Sequence, residues 1–243
     1  MANWSDPRTT AVPRAATGAR EAAFDAGLRS YMLSVYNYMA SGVLLTGIVA
    51  MLFANSAMAP ALLGNPILRF VLMLAPLGVV MALSFGINRM SDTTAKALFW
   101  GYAVLMGLSL SSILLIYTGT SVAQAFFAAA GGFAALSLIG YTTKKDLSAF
   151  GSFLIMGVFG LLVAMLINMF VHSSAMELLI SAVGVLLFAG LTAYDTQRIK
   201  SGYFAVRGTA FAGKSAIMGA LQLYLDFINM FLFLLRFMGN SRN

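Results

Sequence analysis

The stretch AIMGALQLYLDFINMFLFLLRF, residues Ala216–Phe237, decides how the chain is read. As a helix it covers roughly 30 Å, the thickness of a bilayer's hydrocarbon core. Almost every residue in it is large and apolar or small, yet Asp226 stands near the middle. An ionisable residue at that depth costs on the order of 3 kcal/mol to insert, so it turns to the interior of a bundle and is a functional residue by default. Its neighbours agree. Ser215, Gly219, Gln222, Asp226 and Asn229 step by 4, 3, 4 and 3, which at helical pitch puts them in one arc of roughly 80°. The segment is therefore a helix with a single polar stripe that other helices must cover.

The apolar segment before it, Ala175–Thr196, carries a matching stripe. Ser181, Gly184, Phe188, Thr192 and Asp195 step by 3, 4, 4 and 3 and lead up to an acid. Asp195 is expected at the end of this segment, about one turn from a basic loop. Gly184 and Gly219 would let the two backbones approach closely. The natural partner of each acid is then the other. Two carboxylates in a dry site cannot both be ionised cheaply, so such a pair shares a proton, and once deprotonated it becomes a cation site. Asp195 and Asp226 are accordingly the expected ion-binding, pH-sensing and metal-contacting residues, with Gln222, Asn229 and Thr192 as supporting polar groups. Calcium takes six to eight oxygen ligands. This set is sparse, which suits a weak, transient site on a pathway better than a storage site. Arg89 and Arg198 are candidate counter-charges. Two plainer readings stand beside this one. The acids could form a protonated structural hydrogen bond worth about 1 kcal/mol, or Asp195 could be a solvated residue paired with Arg198 three positions on.

Working outward, five further stretches are long and apolar enough to cross a bilayer: Met32–Ala54, Ile67–Ile87, Ala97–Tyr117, Ser121–Tyr141 and Ala149–Val171. With the two already described they make seven. Lipid leaves no backbone group unsatisfied, so each is a helix, and none has the alternation of a barrel strand. The third and fourth spans are joined only around Thr118–Thr120, and the fifth and sixth by His172–Ser174, so these neighbours are antiparallel. The fold class is an all-α membrane protein, a seven-transmembrane-helix bundle at residues 32–238. Composition agrees: 60% of the 243 residues are hydrophobic and 9% charged, against about 25% charged in a soluble domain.

Residues 1–31 are polar and hold Pro7, Pro13, Arg8, Arg14, Arg20 and Arg29. They read as an uncleaved, mostly disordered cytoplasmic tail, because a secretory signal has a short basic region and a short apolar run. With that end inside, twelve of the fifteen Lys and Arg residues fall on the cytoplasmic side and only Arg69, Arg236 and Arg242 outside, a strong positive-inside bias. Charge alone would prefer the last segment to re-enter. Its length prefers a full crossing, which puts the C-terminus outside.

Several classes of function are excluded or unsupported. Cysteine is absent and His172 is the single histidine, so there is no thiolate chemistry, no Cys-based metal site and no mechanism that needs two histidines. No Gly-x-Ser-x-Gly occurs, and the last span has no lysine for a Schiff base. His172 reads as a surface residue. An intramembrane aspartyl dyad can hydrolyse peptides, but the motifs such proteases carry around each acid are missing. The chain is expected not to be an enzyme, to hold no permanent cofactor and to bind no nucleic acid, its net charge of +7 being a loop bias.

The two acids sit in recognisable strings. AGLTAYDTQRI at Ala189–Ile199 and GALQLYLDFINMF at Gly219–Phe231 resemble signatures of the Bax-inhibitor family, the transmembrane Bax inhibitor motif proteins. YTTKKDL at Tyr141–Leu147 and VYNYMA at Val35–Ala40 are similar to further family segments. The resemblance covers about residues 28 to 238. It implies a seven-helix fold with a central C-terminal helix and a pH-sensitive calcium leak gated by the paired aspartates, here Asp195 and Asp226. It also implies links to suppression of cell death and to calcium stores in eukaryotic relatives, and modulation of a membrane protease by some bacterial ones. The short loops and lack of cysteine suit a bacterial inner-membrane member. This chain departs from eukaryotic members in lacking a lysine-rich C-terminal tail. The expected partners are thus the lipid bilayer, calcium ions as the transported species and a membrane protease. The alternative function is a non-transporting regulator that binds such a partner.

Overall fold

The computed structural model describes residues 14–240, with side chains from residue 26 onward. Among the described residues there are eight helices and no strand: α1 (Arg14–Ala54), α2 (Met58–Gly64), α3 (Pro66–Gly86), α4 (Asp92–Ile116), α5 (Gly119–Thr142), α6 (Ser148–Val171), α7 (Ser174–Val206) and α8 (Ala212–Met238). Seven of them, all but α2, are long and apolar enough to cross a membrane. The helices start where local chemistry dictates. Asn65 accepts hydrogen bonds from the Ile67 and Leu68 amides with Pro66 in the first turn, while Ser91, Thr118 and Ser173 cap α4, α5 and α7 through their hydroxyls. Each cap satisfies an N–H that the helix cannot pair itself.

Two boundaries differ from the sequence-based expectation. The first helix begins at Arg14 rather than Met32, so residues 14–31 are helical and not a disordered tail. From Leu28 on it belongs to the core: Leu28, Tyr31 and Met32 are all buried. The tail up to residue 13, and Arg242 at the other end, lie outside the described residues. The sixth span also continues. Helix α7 runs to Val206, eleven residues past Asp195, or about 16 Å of helix. No proline interrupts Gln197–Val206, and the turn comes only at Gly208, whose φ of +72° is a conformation that glycine adopts without strain. Asp195 is therefore inside a long helix, not at its end.

Helix α8 is the hub. It packs against α1, α4, α5 and α7. Of its most apolar window 67% is buried, against 11% for α3 and for α6, which lie at the periphery. This is the central last helix that the family resemblance implied. It also crosses the whole bundle. At one end Lys214 donates to the Met90 carbonyl at 3.2 Å, next to the turn that precedes α4. At the other, the Asn240 carbonyl accepts from the Thr118 amide at 3.1 Å and the Asn240 amide donates to Ser121 Oγ at 2.9 Å. The first end also carries Arg89, Lys144, Lys145 and Arg207, and is called the basic end below. At the far end Arg236 Nε lies 3.7 Å from Glu177 Oε1, so one of the cations that argued for re-entry has an acidic neighbour there.

Polar side chains lock the basic end together. Gln197 of α7 spans the α5–α6 loop: its Oε1 accepts from the Leu147 amide at 2.9 Å and its Nε2 donates to the Lys145 carbonyl at 2.8 Å. Lys200 donates to the Tyr141 carbonyl at 2.6 Å, closing the C-terminus of α5, and its ammonium stands 4.9 Å from the Tyr141 ring centroid. Helix C-termini leave carbonyls unpaired and favour cations, which accounts for the lysine here. The YTTKKDL and AYDTQRI strings are thus two halves of one clamp.

Candidate functional site

The acids of α7 and α8 meet. Both are buried, each 4% exposed, and their carboxyl groups lie within hydrogen-bonding reach of each other. Antiparallel packing of α7 on α8 brings them together across a sequence separation that no local rule could span. The Gln222 amide, one turn before Asp226 on α8, also reaches the Asp195 carboxyl. Asp226 Oδ2 has no hydrogen-bond partner among the described residues. A buried oxygen without a partner carries a desolvation penalty of about 1–3 kcal/mol, so this atom is available to a proton, a water or a cation.

The supporting set is smaller than expected. Gln222 is brought to the pair, whereas Thr192 and Asn229 bond within their own helices. The Thr192 hydroxyl donates to the Phe188 carbonyl at 2.8 Å, and Asn229 Nδ2 donates to the Leu225 carbonyl at 2.8 Å. Buried polar groups on a helix surrounded by hydrocarbon take the nearest acceptor, the carbonyl one turn back. Of the two candidate counter-charges, Arg198, one turn along α7, acts on Asp195. Arg89 is exposed in the turn after α3 and is not among the groups acting on Asp195. No cluster of three or more acidic or histidine side chains occurs among the described residues. The pair is thus a two-carboxylate site with one amide, well short of a full calcium shell.

The glycines of the two stripes act differently from expectation. A Cβ on Gly184 would stand 2.6 Å from the Phe233 ring, and one on Gly219 would stand 3.1 Å from Ile199 Cγ2. Each glycine makes room for a side chain of the facing helix, so neither is a backbone-to-backbone contact. The close backbone approach lies one helix over, where a Cβ on Gly140 of α5 would stand 2.2 Å from the Ala193 carbonyl oxygen. That contact presses α5 against α7 two residues before Asp195.

A cavity of about 420 Å³ lies in the basic half of the bundle beside the pair. Tyr31, Ser84, Arg198, Ser215 and Gln222 are among its walls. Gln222 therefore touches both the cavity and Asp195. Tyr31 and Ser215 hydrogen-bond each other at 2.9 Å across it, joining α1 to α8. Tyr31 was not among the sequence candidates, because it falls in the stretch read as a polar tail. A second polar cluster was also missed. Tyr224 and Thr46 hydroxyls lie 2.7 Å apart, and Thr46 donates to the Ala103 carbonyl at 2.8 Å. Tyr102 stacks edge-on against Tyr224, with 5.1 Å between centroids. No spacing rule links these positions, since they come from α1, α4 and α8. His172 is exposed and ends α6 in a left-handed conformation, as its reading as a surface residue requires.

A bundle of seven hydrophobic helices, the last of them central, with two acids paired at its heart, defines a polytopic membrane protein. Residues 28–243 match the family model described as inhibitor of apoptosis-promoting Bax1, and the chain belongs to that family. Its relatives include bacterial proteins of similar length. RP147 of Rickettsia prowazekii is 46% identical over 227 residues, 93% of this chain and 96% of that protein. The inner membrane protein YbhL of Escherichia coli is 46% identical over 220 residues, 89% of this chain and 94% of that protein. A protein of Deinococcus radiodurans is 48% identical over 217 residues, 89% of this chain and 92% of that protein.

Proposed function

We propose that the protein is a passive, pH-sensitive calcium leak whose gate is the Asp195–Asp226 pair, set in the bacterial inner membrane with its basic end toward the cytoplasm. The observation that carries this reading is the meeting of the two carboxyls, 4% exposed, beside a cavity walled in part by Gln222, whose amide also reaches Asp195. A shared proton holds α7 and α8 together without net repulsion. Loss of that proton leaves two like charges in a dry site. Their repulsion loosens the contact, and the vacated oxygens attract a divalent cation. Two carboxylates and an amide bind calcium weakly, as transit requires. Arg198, acting on Asp195 from the basic side, offsets part of the negative charge and limits how long a cation stays. The reading includes no catalytic step and no resident cofactor.

The alternative, a regulator that restrains a membrane protease without transport, is less favoured by the same geometry. Recognition of a protein partner requires a distinctive outward face, and the polar groups that distinguish this bundle point inward.

Calcium flux from proteoliposomes across a pH series tests the proposal. The wild-type leak should rise as pH rises through the titration of the pair. Asp226→Asn, which keeps the hydrogen-bonding shape but not the charge, should flatten that dependence. Equal flux from both proteins at every pH would reject it.

A further inference from the structure

Away from the acids, on the opposite side of α8, a groove of about 530 Å³ runs between α1, α4, α5 and α8. We propose that this groove seats one acyl chain of a bilayer phospholipid, independently of any transport role. Its floor and walls include Gly47, Leu114, Phe126, Phe227 and Phe231. The space exists because side chains are missing: a Cβ on Gly47 or on Gly119 would meet nothing within 4 Å.

Three observations select a lipid tail as the occupant. First, the groove is continuous with the hydrocarbon-facing surface, since Leu44, Ile48, Met51, Leu115 and Phe127 on its rim are exposed. Second, it does not suit water. A buried water needs two to four polar partners, and the hydroxyl of Thr46 on its wall is already engaged with the Tyr224 hydroxyl and the Ala103 carbonyl. Third, its length fits. Along α1 it extends from Val43 to Asn55, about 18 Å of helix, close to half of the roughly 30 Å hydrocarbon core. It therefore spans one leaflet, from the bundle's middle to the far lip, where polar Asn55 stands at headgroup level. Hydrocarbon interiors tolerate few voids, so a tail entering from the side completes the packing of α8.

The test is photolabelling in proteoliposomes of phosphatidylethanolamine with a diazirine part-way along one acyl chain, followed by mapping of the labelled peptides. Phe227, Ile228 and Phe231 line the groove and expose only a small part of their surface there, so a tail lying on the outer face of the bundle does not reach them. Label on the α8 segment 227–231 is the expected result. Label confined to outward faces such as Phe153, Phe159 and Leu166 of α6 would overturn the proposal. So would a cross-linked pair of chains through the groove, which would assign it to a second copy. Gly47→Phe should fill the groove and abolish the α8 label. Gly101→Phe, which also meets open space but lies outside the groove, should leave it in place. Should Gly47→Phe fail to fold, the wild-type labelling pattern alone still decides.

Discussion

Tyr102 and Tyr224 stack on each other inside the bundle, yet their hydroxyls have opposite fates. The Tyr224 hydroxyl bonds Thr46 at 2.7 Å, while that of Tyr102 is buried with no partner among the described residues. An unmade hydrogen bond costs more than a made one contributes. Tyr102→Phe should therefore leave stability unchanged or raise it by about 1 kcal/mol, and Tyr224→Phe should lower it by about the same amount. Thermal unfolding of the two variants in detergent separates the cases, and equal destabilisation would contradict the assignment. Asp146 offers a pH test outside the membrane spans. Its carboxyl accepts from Ser148, whose amide lies at 2.9 Å, and these bonds hold its pKa below the ordinary value. A depressed carboxylate stabilises the fold above its unfolded pKa and loses that contribution as pH falls through the folded value. The Ser148 amide resonance should thus move with pH at a midpoint below that of an unperturbed aspartate, and a midpoint at or above the ordinary aspartate value would contradict the contact. Of the residue-scale features, the two acids could be read from the chain because charge in a hydrophobic span is conspicuous. Thr46, Tyr31 and Gln197 could not, because their roles depend on which backbone or hydroxyl a distant helix presents.

At the scale of elements, the contact between α5 and α7 sets where Asp195 stands. Gly140 leaves no room for a side chain, its Cβ position falling 2.2 Å from the Ala193 carbonyl oxygen. Gly140→Ala should destabilise by about 1–3 kcal/mol, the usual range for overpacking, and displace α7 at the acid pair. Gly131→Ala on the same helix meets open space and should be neutral or slightly stabilising, since alanine is the better helix former. Unfolding midpoints of the two variants make the comparison, and similar values would rule out the close approach. The seven crossings were legible as elements because lipid turns length and hydropathy into helices. Their ends were less so. Helix α1 begins earlier and α7 ends later than hydropathy suggests, because beyond the hydrocarbon a helix continues for as long as propensity and packing allow.

For the whole molecule, an odd number of crossings places the termini on opposite faces of the membrane. Within the bundle, Tyr31 of α1 bonds Ser215 in the basic half, and Asn240 is held against Thr118 and Ser121 at the far end. With basic loops retained inside, a fluorescent reporter fused to the N-terminus should be active in the cytoplasm, and a phosphatase fused to the C-terminus should be active only outside. Activity of the fluorescent reporter at both ends would contradict the crossing of α8. Centrality of α8 also explains why its sequence is unusual. A helix packed on α1, α4, α5 and α7 has almost no lipid-facing side, so it can carry an acid, an amide and a tyrosine where the peripheral α3 and α6 carry nearly none.

The amino-acid order alone determined the membrane, the helical class, the number of crossings and the two acids, because each follows from the free energy of placing a side chain or a peptide group in hydrocarbon, a local quantity. Only the tertiary structure decided that Gln222 reaches Asp195 while Thr192 and Asn229 bond within their own helices, that Arg198 rather than Arg89 acts on Asp195, and that a groove opens behind α8. Those outcomes depend on distances between helices, and such distances are set by how side chains of several segments fill a common space.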